Sequence, residues 1–166
     1  MIGTSSPVGI PQPAYHPGVE FADGPLVQAL ADLEPLLVDD EFALLGYPRG
    51  SAPPMPDAAA AEAYAVRIDD PLQTTFVLRE ALADTLPPPA LRSGPLRAIV
   101  LANELPSDLT GFMSVIAGAF AERNIPIVPI GAASRDHVLV PAAHWPEALA
   151  ILRGLRDASR RLHRND

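Results

Sequence analysis

This chain of 166 residues contains no cysteine, which excludes disulfide frameworks and thiolate zinc sites. It also contains no lysine, and its formal net charge of −8 argues against nucleic acid as the main partner, because phosphate binding needs a basic surface. No apolar run approaches the ~18 residues of a membrane span, and the first residues show neither the basic nor the apolar region of a secretory signal. We therefore expect a cytoplasmic protein that binds neither nucleic acid nor membrane.

The hydrophobic content predicts a folded protein, and the positions of the arginines show that its charge is unevenly distributed. Hydrophobic residues make up 48% of the chain, which is ample for a core. Five of the twelve basic residues crowd the C-terminal end, namely Arg153, Arg156, Arg160, Arg161 and Arg164. Cations are favourable at the C-terminus of a last helix, so we interpret 159–166 as a solvated arginine-rich tail. Binding of RNA or a membrane by this tail is the weaker alternative, because no aromatic residues are interleaved.

The first half of the chain predicts a proline- and glycine-rich leader at 1–24 without a fold of its own, followed by a small α+β unit. Leu26, Leu30, Leu33 and Leu37 recur at helical spacing and predict a helix from Pro25, interrupted near its end by Pro35. The remaining predicted elements of this half are a strand at 41–47, a proline-rich loop at 48–62, strands at 63–70 and 74–80, and a short helix at 79–86.

The second half predicts the β-α-β-β-α order of a ferredoxin-like sandwich. Its predicted elements are a strand at 96–102, a helix at 109–122 capped by Ser107 or Asp108, strands at 125–130 and 137–141, and a helix at 144–157. The first half repeats this order loosely. We therefore predict an α+β, ferredoxin-like βαββαβ fold with two similar halves, at 25–95 and 96–158, in which the strand at 96–102 is shared or exchanged.

The junction from strand to helix at 103–112 is the first candidate site. A helix N-terminus presents unpaired N–H groups and a partial positive charge, which favour a carboxylate or phosphate. Gly111 removes a side chain there and lets another group approach the backbone. The alternative interpretation is that Gly111 only permits close packing of the helix on the sheet.

The ordered motifs of the second half resemble those of ACT domains, in particular the bacterial proteins related to the arginine sensors called CASTOR. The resemblance is carried by Gly111-Phe112 at the helix start and by Asp136-His137 before the apolar strand 138–141. The turn between them is Arg123-Asn124-Ile125, which replaces the usual Ala-Gly of that family. It covers 96–156 closely and 25–95 loosely. The loop at 131–135 lacks the aromatic residues of that family.

This resemblance implies a regulatory protein that binds a small effector, an amino acid, between two such modules, and that forms a homodimer. Carried over by position, the ligand-binding residues are Leu109, Thr110 and Gly111 at the helix start and Ile127, Val128 and Ile130 on the next strand. Asp108 and Asp136 are candidate charge partners, with a helix cap and a turn residue as their respective structural alternatives.

Two other classes of function remain as alternatives. The first is an interaction module that dimerises or docks on a partner without a ligand, which the altered loop at 131–135 favours. The second is a small transferase or hydrolase, suggested by His137 beside Asp136 and Ser134. Adjacent side chains on a strand point to opposite faces, so these three residues are not expected to converge. The four histidines have no metal-ligand spacing, and neither a metal nor a cofactor is expected.

Overall fold

The computed structural model describes residues 24–62, 64–101, 104–106 and 108–163. Within these ranges the helices are α1 (Pro25–Ala31), α2 (Glu80–Ala83), α3 (Phe112–Ala121) and α4 (Trp145–His163). The strands are β1 (Pro35–Leu37), β2 (Phe42–Pro48), β3 (Val66–Asp69), β4 (Gln73–Arg79), β5 (Leu91–Leu101), β6 (Val128–Gly131) and β7 (Asp136–Pro141). Short 3₁₀ helices occupy Asp57–Ala61 and Ala142–His144. No helix among the described residues has the length and apolar character to cross a membrane.

All pairings in the sheet are antiparallel, and β5 lies at its centre. The strand order is β3-β4-β2-β5-β7-β6, and β1 pairs with β5 beside this path. The first part of β5 pairs with β2, and its second part pairs with β7 on one edge and β1 on the other. The register between β2 and β5 shifts between Phe42 and Leu44. Such a bulge bends and twists a strand, which allows β5 to pair with strands in two differently oriented parts of the sheet.

The sheet is covered by helices on one face of its second half. We call this packing layer the helix-side core. It consists of Leu26, Leu30, Leu33, Ile99, Leu101, Phe112, Ile116, Phe120, Ile125, Val138, Val140, Ala148 and Leu152. The spacing of Phe112, Ile116 and Phe120 on α3 is that of one helical face.

The opposite face of the sheet curls around a second layer, which we call the strand-face core. It consists of Val38, Phe42, Tyr64, Val77, Leu96, Ala98 and Leu139. Val66 on β3 and Val128 on β6 belong to strands at opposite ends of the sheet order, yet both pack against this layer. The curl therefore brings the two ends of the sheet toward one another.

This arrangement confirms the predicted ferredoxin-like α+β fold. The elements β5, α3, β6, β7 and α4 follow the βαββα order, and β1, from the beginning of the chain, occupies the position of the fourth strand. The strands β2, β3, β4 and the first part of β5 form the corresponding sheet of the first half. The division into halves at 95/96 stays a prediction, and the boundary itself falls inside the continuous strand β5.

Several predicted elements differ in extent from the observed ones. The first helix ends at Ala31 rather than near Leu37 because Pro35 has no N–H and restricts the residue before it, so that Pro35 instead begins β1. The strand predicted to begin at residue 96 begins at Leu91 and passes through Pro95 at the bulge. The last helix extends to His163, beyond its predicted end at residue 157. Residues 1–23 of the predicted leader and 164–166 of the predicted tail lie outside the described residues.

Candidate functional site

The helix start predicted as an anion site is formed by the segment between β5 and α3. Leu109 donates its N–H to the carbonyl of Pro106 at 3.0 Å, which closes a turn. Gly111 is the N-cap of α3 with φ of 86° in the left-handed region, so the helix begins at Phe112 rather than at Leu109. The predicted cap by Asp108 is wrong, because no side chain among the described residues caps α3. Ser107 lies outside the described residues. The first N–H groups of α3 therefore have no side-chain acceptor in this part of the structure.

The helix start is covered by α1. A Cβ atom added at Gly111 would lie 3.3 Å from Cδ2 of Leu26, so glycine allows the two elements to approach closely. Leu109 is half-buried against the helix-side core, whereas Thr110 and Asp108 are exposed. The C-terminal end of α1 is fixed in turn by Arg160 of α4, whose Nε donates to the carbonyl of Ala31 at 2.8 Å.

A cavity of about 460 Å³ lies between α1 and the segment that leads to α3. We call it the helix-side cavity. Its acidic lining residues are Asp32 at the end of α1, Glu34 just before β1, and Glu104 after β5. Gln28 also lines it and donates its amide to Asp32 at 2.5 Å. Three carboxylates around one space favour a cationic group in a ligand.

The loop between β6 and β7 lies alongside this segment. Leu105 donates its N–H to the carbonyl of Ser134 at 3.2 Å, and Arg135 lies 3.3 Å from Glu104 in an exposed ion pair. Asp136, the first residue of β7, pairs with Leu101 at the end of β5. The structure therefore brings Asp136 and the residues 108–111 to the same end of the sheet.

The predicted residues of the next strand do not share one surface. Val128 and Ile130 lie on β6 and pack against the strand-face core, whereas Ile127 packs against the helix-side core. Val128 pairs with Leu139, toward the far end of the strand from the helix start. None of the eight predicted ligand-binding residues lines the helix-side cavity, whose walls come instead from α1 and from Glu104, Leu105 and Pro106.

The side chains of Asp136 and His137, which suggested a hydrolase, do not converge. Val138 and Val140 belong to the helix-side core and Leu139 to the strand-face core, so Asp136 and His137 lie on opposite faces of β7. Burial lowers the pKa of His137, although the nearby Asp136 carboxylate raises it. Within the described ranges, no group of three or more histidine or carboxylate side chains is arranged to hold a metal ion.

Residues 95–154, in the second half of the chain, match the family model of the ACT domain. No curated protein matches the sequence. These findings identify an ACT domain in the part of the chain where the sequence predicted one, whereas membership of the CASTOR-like subfamily stays a prediction.

Solved structures support the same fold. A protein from Agobacterium tumefaciens is 13% identical with a TM-score of 0.63, and the match covers 75% of this chain and 89% of that one. A Vibrio cholerae protein of unknown function, described as a possible transport protein, is 20% identical with a TM-score of 0.61 over 79% and 95% of the two chains. The regulatory subunit of aspartate kinase from Thermus flavus is 15% identical with a TM-score of 0.50 over 74% and 97%. At these identities the similarity establishes the fold.

Proposed function

We propose that this protein is a non-enzymatic regulator that binds an amino acid at the helix-side cavity. The observation that carries the proposal is the juxtaposition of two complementary groups at one end of an ACT domain. The carboxylates of Asp32, Glu34 and Glu104 line the cavity. The N-terminus of α3, which no described side chain caps, contacts α1 at Leu26, one residue from the lining residue Pro25.

A free amino acid carries both charges that such a site requires. Its carboxylate is complementary to the partial positive charge of the helix start beside the cavity. Its ammonium group is complementary to the cavity carboxylates, and hydrogen bonds to charged groups contribute about 1.5–3 kcal/mol each. ACT domains are regulatory modules, and one solved structure of similar fold is a regulatory subunit of aspartate kinase.

Regulation follows from the way the cavity is built. One wall is α1, which comes from the beginning of the chain, and the other is the segment between β5 and α3. A ligand that bridges these walls stabilises the arrangement in which they are close, and shifts the population toward it. We expect this shift to be transmitted to a partner protein or to a second copy of the chain.

The test is a thermal-shift screen against the twenty amino acids, followed by calorimetric titration of each amino acid that raises the melting temperature. A ligand at a hundred times its dissociation constant adds about 2.7 kcal/mol to the free energy of unfolding. Glu104→Gln should weaken binding by about tenfold or more. Glu122→Gln, at the opposite end of α3, removes an exposed carboxylate without affecting the cavity and serves as the matched control. A well-folded protein that responds to no amino acid contradicts the proposal.

A second candidate function is a docking or dimerisation module without a ligand. The observation that favours it is β1, a short strand paired on one edge with β5, whose Leu36 and Leu37 are 61% and 44% exposed. An unpaired strand edge with exposed apolar side chains is suited to pairing with another chain. Light scattering of the wild type and of Leu37→Glu tests this candidate, which requires an oligomer that the substitution dissociates.

A further inference from the structure

A second cavity, of about 520 Å³, lies on the face of the sheet opposite α3 and α4. We call it the strand-face cavity. Its floor is a row of three neighbours on adjacent strands, because Leu36 pairs with Val100 and Val100 pairs with His137. Residues 132–135, between β6 and β7, form its rim. The volume lies within the roughly 300–1,000 Å³ of small-molecule sites.

Two polar atoms beside this cavity have no partner. Nδ1 of His137 and the hydroxyl of Tyr64 are both buried and unpaired among the described residues. The two rings are in contact, with centroids 5.4 Å apart, and Tyr64 is only 7% exposed. Buried polar atoms are seldom left unpaired, and a hydrogen bond from the hydroxyl to Nδ1 would satisfy both atoms.

That hydrogen bond has a consequence for the other ring nitrogen. When Nδ1 accepts a hydrogen bond, the proton of a neutral imidazole resides on Nε2. His137 lines the cavity while its Nδ1 is shielded from solvent, so Nε2 is the nitrogen that a ligand can reach. Burial lowers the pKa of His137 and so favours the neutral ring, and a neutral ring whose Nδ1 accepts a hydrogen bond donates from Nε2.

The charged group on the rim is Arg135. Its guanidinium lies 3.3 Å from Glu104, in an ion pair whose side chains are 42% and 79% exposed. Exposed pairs of this kind contribute little to stability, so a ligand carboxylate can replace or share the interaction at small cost. None of the described residues lining this cavity is acidic, in contrast to the helix-side cavity.

We propose that the strand-face cavity binds a small, mostly apolar carboxylic acid that has no amino group. Its hydrocarbon part contacts Leu36 and Val100, and its carboxylate accepts hydrogen bonds from Nε2 of His137 and from Arg135. An amino acid is disfavoured because its ammonium group has no acidic partner in this lining. This site goes beyond the proposed function, since it lies on the other face of the sheet and selects a different ligand chemistry.

The test uses 4-methylpentanoate as the probe and 4-methylpentan-1-ol as its uncharged control, each titrated by calorimetry. We expect the acid to bind about tenfold or more tightly than the alcohol, because charged hydrogen bonds are the stronger ones. An excess of any amino acid that binds the helix-side cavity should not displace the acid, because no described residue lines both cavities. Absence of binding at millimolar acid, or equal affinity for acid and alcohol, would overturn the proposal.

Two substitutions locate the site. Leu36→Glu places a like charge on the cavity floor and should abolish binding of the acid, whereas Leu72→Glu changes a leucine that is 83% exposed outside the cavity and should have no effect. Ala133→Trp fills the rim from an exposed loop and should also abolish binding, even if Leu36→Glu disturbs the edge strand. Binding that survives both Leu36→Glu and Ala133→Trp overturns the assignment.

Tyr64 is a positioning residue in this proposal, and its role has a spectroscopic signature. Nitrogen NMR of the imidazole of His137 should report the proton on Nε2 in the wild type. Tyr64→Phe preserves the ring but removes the hydroxyl, so both tautomers should become populated and the acid should bind several-fold more weakly. An unchanged tautomer in Tyr64→Phe contradicts the role given to this hydroxyl.

Discussion

Substitution of Gly111, the N-cap of α3, tests whether the start of this helix requires a left-handed residue packed against α1. Gly111 has φ of 86°, and an L-residue in the left-handed region costs roughly 1–2 kcal/mol. A new Cβ atom would also lie 3.3 Å from Cδ2 of Leu26, a flexible side-chain end that can move by a few tenths of an ångström. We therefore expect Gly111→Ala to lower the free energy of unfolding by about 1–2 kcal/mol.

The same helix contains a matched control of opposite sign. Gly118 lies in the interior of α3 and a Cβ atom added there meets nothing within 4 Å. Alanine is favoured over glycine in a helix interior by about 0.5–1 kcal/mol, so Gly118→Ala should stabilise the protein. The two variants should then differ by roughly 1.5–3 kcal/mol, or about 3–12 °C in melting temperature for a chain of this size.

Urea denaturation and thermal melts of both variants provide the measurement. Gly111→Asn should recover part of the loss, because asparagine tolerates the left-handed region better than alanine. The reasoning is refuted if Gly111→Ala is as stable as the wild type, or if both glycine-to-alanine variants shift stability in the same direction.

The remaining predictions concern the core below α1 and the histidine of the strand-face cavity. Leu33→Ala, at a fully buried position after α1, should cost about 2–5 kcal/mol in urea denaturation, whereas Leu36→Ala, at a mostly exposed position, should cost little. Burial lowers the pKa of His137. Below its ordinary value of about 6.5 the unfolded chain therefore binds a proton that the folded protein does not, and the free energy of unfolding falls with decreasing pH until the folded histidine is protonated. Denaturation at about pH 7.5 and about pH 5.5 should show a smaller acid loss for His137→Gln, and an equal loss would contradict this linkage.

Elements with strong periodicity were predictable from the sequence. Phe112, Ile116 and Phe120 recur at helical spacing and are buried on one face of α3. Asn124 follows with φ of 55°, in the left-handed region that asparagine tolerates. The prolines at 126 and 129 cannot donate to a strand ladder and are typical of an edge strand, and β6 lies at the end of the sheet order. In each case the local residue type limits the backbone directly.

Features that depend on contacts between distant residues were not predictable. The strand was predicted to begin at residue 96, yet it begins at Leu91 and continues through a bulge because β2 and β7 pair with its two parts. The helix cap was assigned to Ser107 or Asp108 from residue preference, whereas a turn from Pro106 delays the helix to Phe112. The candidate site also depends on contacts between residues that are distant in the sequence.

The candidate site illustrates this limit most clearly. The sequence indicated the helix start, but it did not indicate that α1 covers it, because the contact between Leu26 and Gly111 joins residues far apart in the chain. Asp32 and Glu34 lie just after α1 in the sequence. They line a cavity only because the fold places them close to Glu104. The roles of the eight predicted binding residues stay a prediction.

The position of β1 as the fourth strand of the second half determines the order in which this protein can be completed during synthesis. Leu37 pairs with Ile99, so about 60 further residues must be added before the partner of β1 exists. At about 5–20 residues per second, that interval lasts on the order of 3–12 s. Throughout it, the apolar face of α1 and the edge of β1 have no ACT domain on which to pack. The elements α1 and β1 leave the ribosome before the rest of the fold and are therefore among the last to form their native contacts.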